Sequence, residues 1–160
     1  MTSLNRFEIT REHFFPDLFA VSSLEIRQLG ASAHRFAQFL WREIDGEAEE
    51  TRAGWSNQQW QNYLADPRCE FYAVFCDGEP AGASELVREP TLMRDSGGKV
   101  RIKVFGLFPE YAGEGLGAAV LTRMVEKGFA AGGGVVQFQS KREIEGGILA
   151  LLKRLHFKEV

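Results

Sequence analysis

Apolar and polar residues alternate along the chain with two different periods, and these periods predict its secondary structure. A period of two predicts strands at residues 18–29, 70–76, 81–87, 99–107 and 135–140. Apolar residues three and four apart predict amphipathic helices at residues 31–44, from Ser56 onward, at 113–131 and at 146–155. Residues 1–17 mix charged and aromatic residues and are expected to form an N-terminal arm. The predicted order is β-α-α-β-β-β-α-β-α.

Two local signals mark where elements begin and turn. Ser56 is a predicted N-cap, because its hydroxyl can accept a hydrogen bond from a backbone N–H of the first helical turn. The pair Asp77-Gly78 predicts a tight hairpin turn between two strands. An antiparallel meander followed by a strand–helix–strand unit indicates one α/β (α+β) domain over residues 1–160. Its sheet is expected to be mixed, mostly antiparallel and flanked by helices.

Composition and charge exclude several classes of function. With 44% hydrophobic and 26% charged residues in a chain of 160, the sequence is typical of one globular domain. A net charge of -3 gives no general attraction to nucleic acid or to an anionic membrane. No secretory signal or membrane span is visible, and the two cysteines and three histidines lack metal-site spacing. We therefore expect a reduced, cytoplasmic protein without a metal centre.

One segment has the spacing of a ligand-binding loop. Between the fourth predicted strand and its helix, Gly113, Gly115 and Gly117 stand at alternate positions. Glycines leave the backbone unshielded, so successive N–H groups can point into one concavity, and the helix N-terminus adds partial positive charge. Such a loop can bind a phosphate or pyrophosphate. The structural alternative is a glycine-rich turn that only lets the helix pack closely on the strand.

Two other phosphate-binding loops fit this segment less well. A P-loop needs Lys and a hydroxyl residue at the start of the helix, and neither follows Gly117. The dinucleotide fingerprint G-x-G-x-x-A is met by Gly113, Gly115 and Ala118, but residues 109–112 separate it from the strand. The next strand also lacks an acidic residue at its tip. A dinucleotide-binding oxidoreductase is therefore the more distant alternative.

The stretch VFGLFPEYAGEGLG, from Val104 to Gly117, resembles the CoA-binding motif of the GCN5-related N-acetyltransferase (GNAT) superfamily. Segments at 39–42, 54–56, 77–80 and 82–85 resemble a small bacterial branch of unassigned substrate, and the resemblance extends over residues 18–160. It implies a single acyl-CoA N-acyltransferase domain. In that fold the sheet is splayed between the fourth and fifth predicted strands.

The resemblance implies acetyl-CoA as cosubstrate and direct transfer of its acetyl group to an amine of a small molecule or peptide. The pantetheine would pair with backbone groups at Phe105 and Leu107. A homodimer is compatible with the family. The pyrophosphate would lie on the backbone of the following residues: Ala112, Gly113, Glu114, Gly115, Leu116, Gly117 and Ala118.

Four residues are candidates for the chemistry. Glu85 stands where this branch also has Glu, and it could remove the amine proton directly or through water; a solvent-facing strand carboxylate is the alternative. The backbone N–H of Leu107 would hold the oxyanion. Tyr111 and Ser140 are the nearest substitutes for the acid that protonates the departing sulfur, and a structural role is the alternative for each.

The chain also departs from the family pattern. The family usually has Gln or Arg at the position of Ala112 and often a basic residue at that of Glu114. In the last helix, Glu145, Leu152 and His156 replace the family's Asn, Tyr and Gly, and that Tyr acts on the CoA sulfur. The alternative to an active enzyme is therefore a degenerate domain that binds CoA or a protein partner without catalysis.

The acidic residues between the first two helices, within 43–50, fall where the family builds its acceptor wall. The resemblance thus permits a cationic amine as acceptor. The alternative is that this charge run is a solvated face.

Overall fold

A computed structural model describes residues 5–14, 23–89, 98–111, 115–140 and 146–160 of the chain. In these residues, helices cover both faces of a seven-stranded sheet. The strands are β1 Asn5–Thr10, β2 Leu24–Leu29, β3 Cys69–Cys76, β4 Glu79–Glu89, β5 Lys99–Leu107, β6 Val135–Ser140 and β7 Lys158–Glu159. The helices are α1 His34–Glu43, α2 Asn57–Ala65, α3 Leu116–Ala130 and α4 Gly146–Arg154.

The sheet has the order β2-β3-β4-β5-β6-β1-β7. Neighbouring strands are antiparallel except β5 and β6, which are parallel and joined through α3. In the hairpin between β3 and β4, Asp77 has φ 52° and Gly78 has φ 80°. Positive φ at both central residues is what a type I′ turn needs. The predicted hairpin turn and the mixed, mostly antiparallel sheet are confirmed.

A capping box starts α2. The Gln59 N–H donates to Ser56 Oγ at 3.1 Å, and the Ser56 N–H donates to Gln59 Oε1 at 2.7 Å. Each side chain thereby satisfies a backbone donor that the helix itself leaves unpaired. The predicted N-cap is confirmed. The capping box fixes the first turn of α2, the helix that carries Tyr63, a hydrogen-bond partner of Glu85.

Two apolar clusters hold the helices on opposite faces of the sheet. Along β3, Phe71 and Ala73 belong to the cluster under α1 and α2, whereas Tyr72 and Val74 belong to the cluster under α3 and α4. Successive strand residues point to opposite faces, so the two clusters lie on the two sides. Each fully buried large apolar side chain contributes about 1.5–3 kcal/mol.

The fold departs from the sequence prediction at both ends. Residues 5–10, expected in an arm, form β1, which is inserted between β6 and β7. Phe7 and Ile9 anchor β1 in the core, at 4% and 2% exposure. The short β7 was not predicted. Of the strand predicted at 18–29, the described part is β2, and residues 15–22 lie outside the described residues. Within the described chain, no helix is long and apolar enough to cross a membrane.

Candidate functional site

The strands β5 and β6 are paired over only part of their length. Their parallel ladder ends at Ile102 and Phe138, whereas β5 continues to Leu107 and β6 to Ser140. Past the last pair the two strands separate and leave an opening in the sheet. The splay that the resemblance implied is confirmed. It falls between β5 and β6 because β1 precedes the strands counted from the sequence.

A β-bulge in β5 stands where this ladder ends. Glu85 of β4 pairs with Val104 and the next residue, Leu86, pairs with Ile102, so Lys103 is an extra residue in β5. A bulge bends the strand that carries it and increases its local twist. The opening is therefore built into the course of β5.

The edge of β5 turns its backbone toward the opening. The Phe108 N–H donates to the Ala81 carbonyl at 2.8 Å, so the backbone of Phe108 faces β4. Alternate residues of an antiparallel ladder turn their hydrogen-bonding groups to opposite sides. The N–H and C=O groups of Leu107 and Phe105 therefore face the side where β6 has separated. A ligand in the opening can form hydrogen bonds with these backbone groups, as an additional strand would.

The start of α3 lies beside these same two residues. A Cβ added to Gly117 would lie 3.7 Å from Leu107 Cδ1 and 3.8 Å from Phe105 Cζ. Gly115 precedes the helix in the left-handed conformation, with φ 76°, and no described side chain caps α3. The first N–H groups of an α-helix have no partner within the helix. They are those of Leu116, Gly117 and Ala118.

These residues fit a phosphate-bearing ligand. The first turn of α3 has no acidic residue among those described. Its unpaired N–H groups and the positive end of the helix dipole favour an anion. Leu116 and Ala118 turn their side chains into the core, at 3% and 9% exposure, so the backbone is what they present. Ala112, Gly113 and Glu114, predicted for the same cradle, lie outside the described residues.

Glu85 does not face an open cleft or solvent as expected, because it is held in a buried ion pair. Arg52 Nη1 donates to Glu85 Oε1 at 2.6 Å and Arg52 Nη2 to Oε2 at 3.0 Å, with both side chains at 0% exposure. The Tyr63 hydroxyl donates to Glu85 Oε2 at 3.0 Å. Both carboxylate oxygens are thus engaged, and the use of Glu85 as a base stays a prediction.

Four aromatic rings surround the Arg52 guanidinium. Its central carbon lies 3.7 Å from the ring centroid of Trp41, 4.4 Å from Tyr63, 4.8 Å from Trp55 and 5.3 Å from Trp60. Burial alone would lower the pKa of Arg52, but the charge and hydrogen bonds of Glu85 outweigh it and raise that pKa. Burial also raises the pKa of Tyr63. Arg52 is therefore a permanently charged anchor for the α1–α2 connection.

The acidic residues of this connection have partners in the fold. Glu47 accepts hydrogen bonds from Trp41 Nε1 at 3.0 Å and from the Arg52 N–H at 2.9 Å. Glu50 Oε2 lies 2.7 Å from both Arg52 Nη2 and Lys103 Nζ. Burial would raise the pKa of Glu50, but hydrogen bonds from Lys103 and Arg52 lower it overall. At Glu47 and Glu50 the simple picture of a solvated charge run is therefore wrong.

Ser140 of β6 also contacts the connection between α1 and α2. Its Oγ donates to Glu49 Oε1 at 2.6 Å. The connection between α1 and α2 therefore touches both strands that flank the opening, through Lys103 on β5 and Ser140 on β6. Sequence reasoning singled out Ser140 but gave no specific role to Glu49.

Tyr111, the second candidate acid, is not among the residues that hydrogen-bond to Ser140 or Glu49 in the described part of the chain. It ends the short 3₁₀ helix Pro109–Tyr111 and is half-buried against both apolar clusters. Burial, followed by the charge of Glu79, raises the pKa of its phenol. Glu79 belongs to β4, on the far side of β5 from Ser140. The structure does not bring these two candidate acids together.

Leu152 is a core residue. It has 0% exposure and lies in the cluster under α3 and α4. The resemblance aligns it with the family's Tyr, whose hydroxyl acts on the CoA sulfur. The Leu152 side chain packs in the core and has no hydroxyl, so it cannot act on a sulfur as that Tyr does.

Sequence reasoning missed Arg52. The available signal was an arginine that follows the five acidic residues within 43–50 and precedes Trp55 and Trp60. A cation in such a position is often paired and stacked on aromatic rings. In the described part of the chain, no group of three His, Cys, Asp or Glu side chains is placed to hold a metal ion.

Solved structures with this fold include several acetyltransferases. An aminoglycoside acetyltransferase from an uncultured soil metagenomic sample is 20% identical, with a TM-score of 0.69 over 83% of this chain and 90% of that one. A second one, in complex with sisomicin, is 12% identical, with a TM-score of 0.70 over 84% and 88%. An acetyltransferase of Trypanosoma brucei is 22% identical, with a TM-score of 0.60 over 84% and 92%.

No curated protein sequence matches this chain. The model of the acetyltransferase (GNAT) family, however, matches residues 32–156. That span contains the opening between β5 and β6, the start of α3 and the connection between α1 and α2. With the fold likeness above, this match shows that the chain belongs to the acetyltransferase (GNAT) family.

Proposed function

We propose that the protein is an acetyl-CoA-dependent N-acetyltransferase that moves an acetyl group directly onto an amine of a small molecule or peptide. One observation carries the proposal. The uncapped start of α3 lies beside Phe105 and Leu107, whose backbone groups face the opening between β5 and β6. An anion cradle next to an open strand edge suits a ligand that joins a pyrophosphate to an amide-bearing arm.

That arrangement supports the residues that we propose for this ligand's site. The pyrophosphate would bind backbone N–H groups in the stretch from Ala112 to Ala118, and the arm would pair with the backbone at Phe105 and Leu107. The N–H of Leu107 would donate to the acyl oxygen as negative charge develops on it. A donor fixed in this way stabilises the transition state more than the ground state.

The acceptor is proposed to be a cationic amine. Glu49 and Glu50 lie at the opening, where they contact Ser140 and Lys103. Carboxylates beside the reaction centre attract an ammonium group and can help it lose a proton. A structural neighbour that binds sisomicin, a compound carrying several amines, is compatible with this substrate class.

Ligand-induced stabilisation tests the first half of the proposal. At many times its dissociation constant, acetyl-CoA should stabilise the native state by about 3–4 kcal/mol, because it binds the folded chain and not the unfolded one. CoA should act similarly, and NADH should not. Stabilisation by NADH alone would point to a dinucleotide-binding protein instead.

Release of CoA thiol tests the second half. Wild-type protein, acetyl-CoA and a panel of polyamines, aminoglycosides and lysine-containing peptides should release thiol above the rate without amine. Mass spectrometry of the product should show one added acetyl group. If acetyl-CoA stabilises the protein but no amine of the panel raises thiol release, the transfer activity is refuted.

A second candidate function is binding of CoA, or of a protein partner, without catalysis. The observation that favours it is the loss of two expected catalytic groups from the opening. Glu85 is engaged by Arg52, and the position of the family's Tyr is the buried Leu152. Stabilisation by CoA with no transfer to any amine is the result expected from this alternative.

A further inference from the structure

The Glu49 carboxylate lies in the opening between β5 and β6. Phe138 belongs to the cluster under α3, so the alternation of β6 turns Ser140, two residues later, toward the same face. Glu49 comes from the connection between α1 and α2, on the opposite face of the sheet. The 2.6 Å hydrogen bond from Ser140 Oγ to Glu49 Oε1 therefore passes through the opening. Glu49 is 9% exposed.

Glu49 and the proposed oxyanion donor border the same opening. Ser140, which holds Glu49, lies two residues beyond Phe138, the last residue of β6 that pairs with β5. Leu107 is the last residue of β5 and also lies beyond the end of this ladder. Both residues thus border the space in which the acyl group and the amine would meet.

We infer that Glu49 accepts the proton of the acceptor amine and that Ser140 positions its carboxylate. This inference rests on the proposed N-acetyltransferase function. The acceptor ammonium gives one proton to Glu49, and its nitrogen lone pair then bonds to the acyl carbon. The carbon–sulfur bond breaks with its electron pair on sulfur, and the second proton of the nitrogen passes to that sulfur.

Arg52 makes the position of Glu49 rigid. It follows Glu49 by three residues, and its guanidinium is fixed by Glu85, Glu50 and the surrounding aromatic rings. The segment that carries Glu49 is thus tied to β4 at one point and to β6 through Ser140. Glu85, the carboxylate predicted as base, instead serves as the far end of this anchor.

The test compares Glu49→Gln with wild type, using acetyl-CoA and two acceptors of different basicity. One is the best alkylamine of the panel, which is protonated at neutral pH, and the other is hydroxylamine, which is largely neutral. We expect Glu49→Gln to lower kcat for the alkylamine by about 10²-fold, as removal of a general base does. The loss with hydroxylamine should be at least tenfold smaller, and the acetyl-CoA KM should stay within twofold. Glu49→Asp should recover part of the rate, and Glu126→Gln, at an exposed site on α3 with the same charge change, should match wild type.

Several results overturn the inference. An unchanged kcat in Glu49→Gln excludes Glu49 as proton acceptor, and an equal loss with both amines indicates a structural role. If Glu49→Gln does not fold, Ser140→Ala is tested instead. It must also lose more kcat with the alkylamine than with hydroxylamine, although the loss should be smaller than that expected for Glu49→Gln. A wild type that binds acetyl-CoA but acetylates neither amine refutes the proposed function first and the inference with it.

Discussion

Arg52 and Glu85 form a bidentate ion pair, 2.6 and 3.0 Å long, in which neither side chain has exposed surface. The two residues are 33 positions apart, on the α1–α2 connection and on β4. Taking both charges out of water is unfavourable. The pair persists because Glu50 and Tyr63 make further hydrogen bonds to it, and because the rings of Trp41, Trp55, Trp60 and Tyr63 surround the guanidinium. The pair holds the α1–α2 connection against β4 of the sheet.

Removing one member of this pair should destabilise the fold strongly. Arg52→Met leaves Glu85 buried without its countercharge, and we expect a loss of about 3–5 kcal/mol in the free energy of unfolding. Glu85→Leu should behave alike. The double variant Arg52→Met/Glu85→Leu should be less destabilised than the sum of the singles by at least about 1 kcal/mol, because no charge is left unpaired. Urea unfolding of the four proteins measures this, and additive losses would contradict the coupling.

Gly115 should be required for binding of acetyl-CoA. Its φ of 76° is unfavourable for a side chain, at roughly 1–2 kcal/mol. Gly115→Val would also place a branched side chain at the start of α3, where the anion is proposed to bind. Gly132→Val is the matched control. Gly132 has φ 93° and, like Gly115, open space where a Cβ would stand, but it follows the far end of α3.

Both glycine variants should lose similar stability, as measured by urea unfolding. Isothermal titration with acetyl-CoA should show affinity lowered at least tenfold in Gly115→Val and within twofold of wild type in Gly132→Val. Equal affinities in the two variants would place the phosphates away from α3.

Much of the fold follows from local patterns, and the site follows only in part. The turn at Asp77 and the cap at Ser56 are set by residues within four positions, so the sequence alone predicts them. The strand β1 has only Phe7 and Ile9 as apolar members, and Phe7 pairs with Phe138, far along the chain. Two apolar positions in six residues are too few for the period of a strand to be detected in the sequence. These two side chains are buried because β1 pairs with β6, which is distant along the chain.

The same limit applies to the chemistry of the site. The glycine spacing around Gly115 is a local signal for the turn into α3, although the predicted helix start at residue 113 comes before the observed N-cap at Gly115. Whether Glu85 is a base or an anchor depends on Arg52, whose position comes from packing of the α1–α2 connection. Likewise, Glu49 gains its proposed role only because the bulge at Lys103 opens the sheet next to Ser140.

Lowering the pH should reduce the free energy of unfolding, because Glu50 becomes protonated. Hydrogen bonds from Lys103 and Arg52 outweigh burial and hold the folded-state pKa of Glu50 below its ordinary value of 4.5. The unfolded chain therefore binds this proton more tightly, so the contribution of Glu50 is complete above pH 4.5 and is lost as pH falls through the lowered pKa. The unfolding free energy of wild type should fall more steeply below pH 4.5 than that of Glu50→Gln. Parallel pH curves for the two proteins would contradict the ion pair, and Lys103→Gln should reduce the difference between them.

Leu152→Tyr should destabilise the protein without speeding transfer. Leu152 has 0% exposure in the cluster under α3 and α4, so a phenol there overfills the core and buries its hydroxyl. Overpacking of this kind costs about 1–3 kcal/mol. Leu152→Met, which keeps the volume, is the control and should lose less than about 1.5 kcal/mol. Urea unfolding and thiol release with the best amine of the panel are measured on both variants. A Leu152→Tyr protein of unchanged stability that transfers acetyl groups several times faster than wild type would contradict this prediction. It would show that a Tyr side chain at position 152 reaches the CoA sulfur.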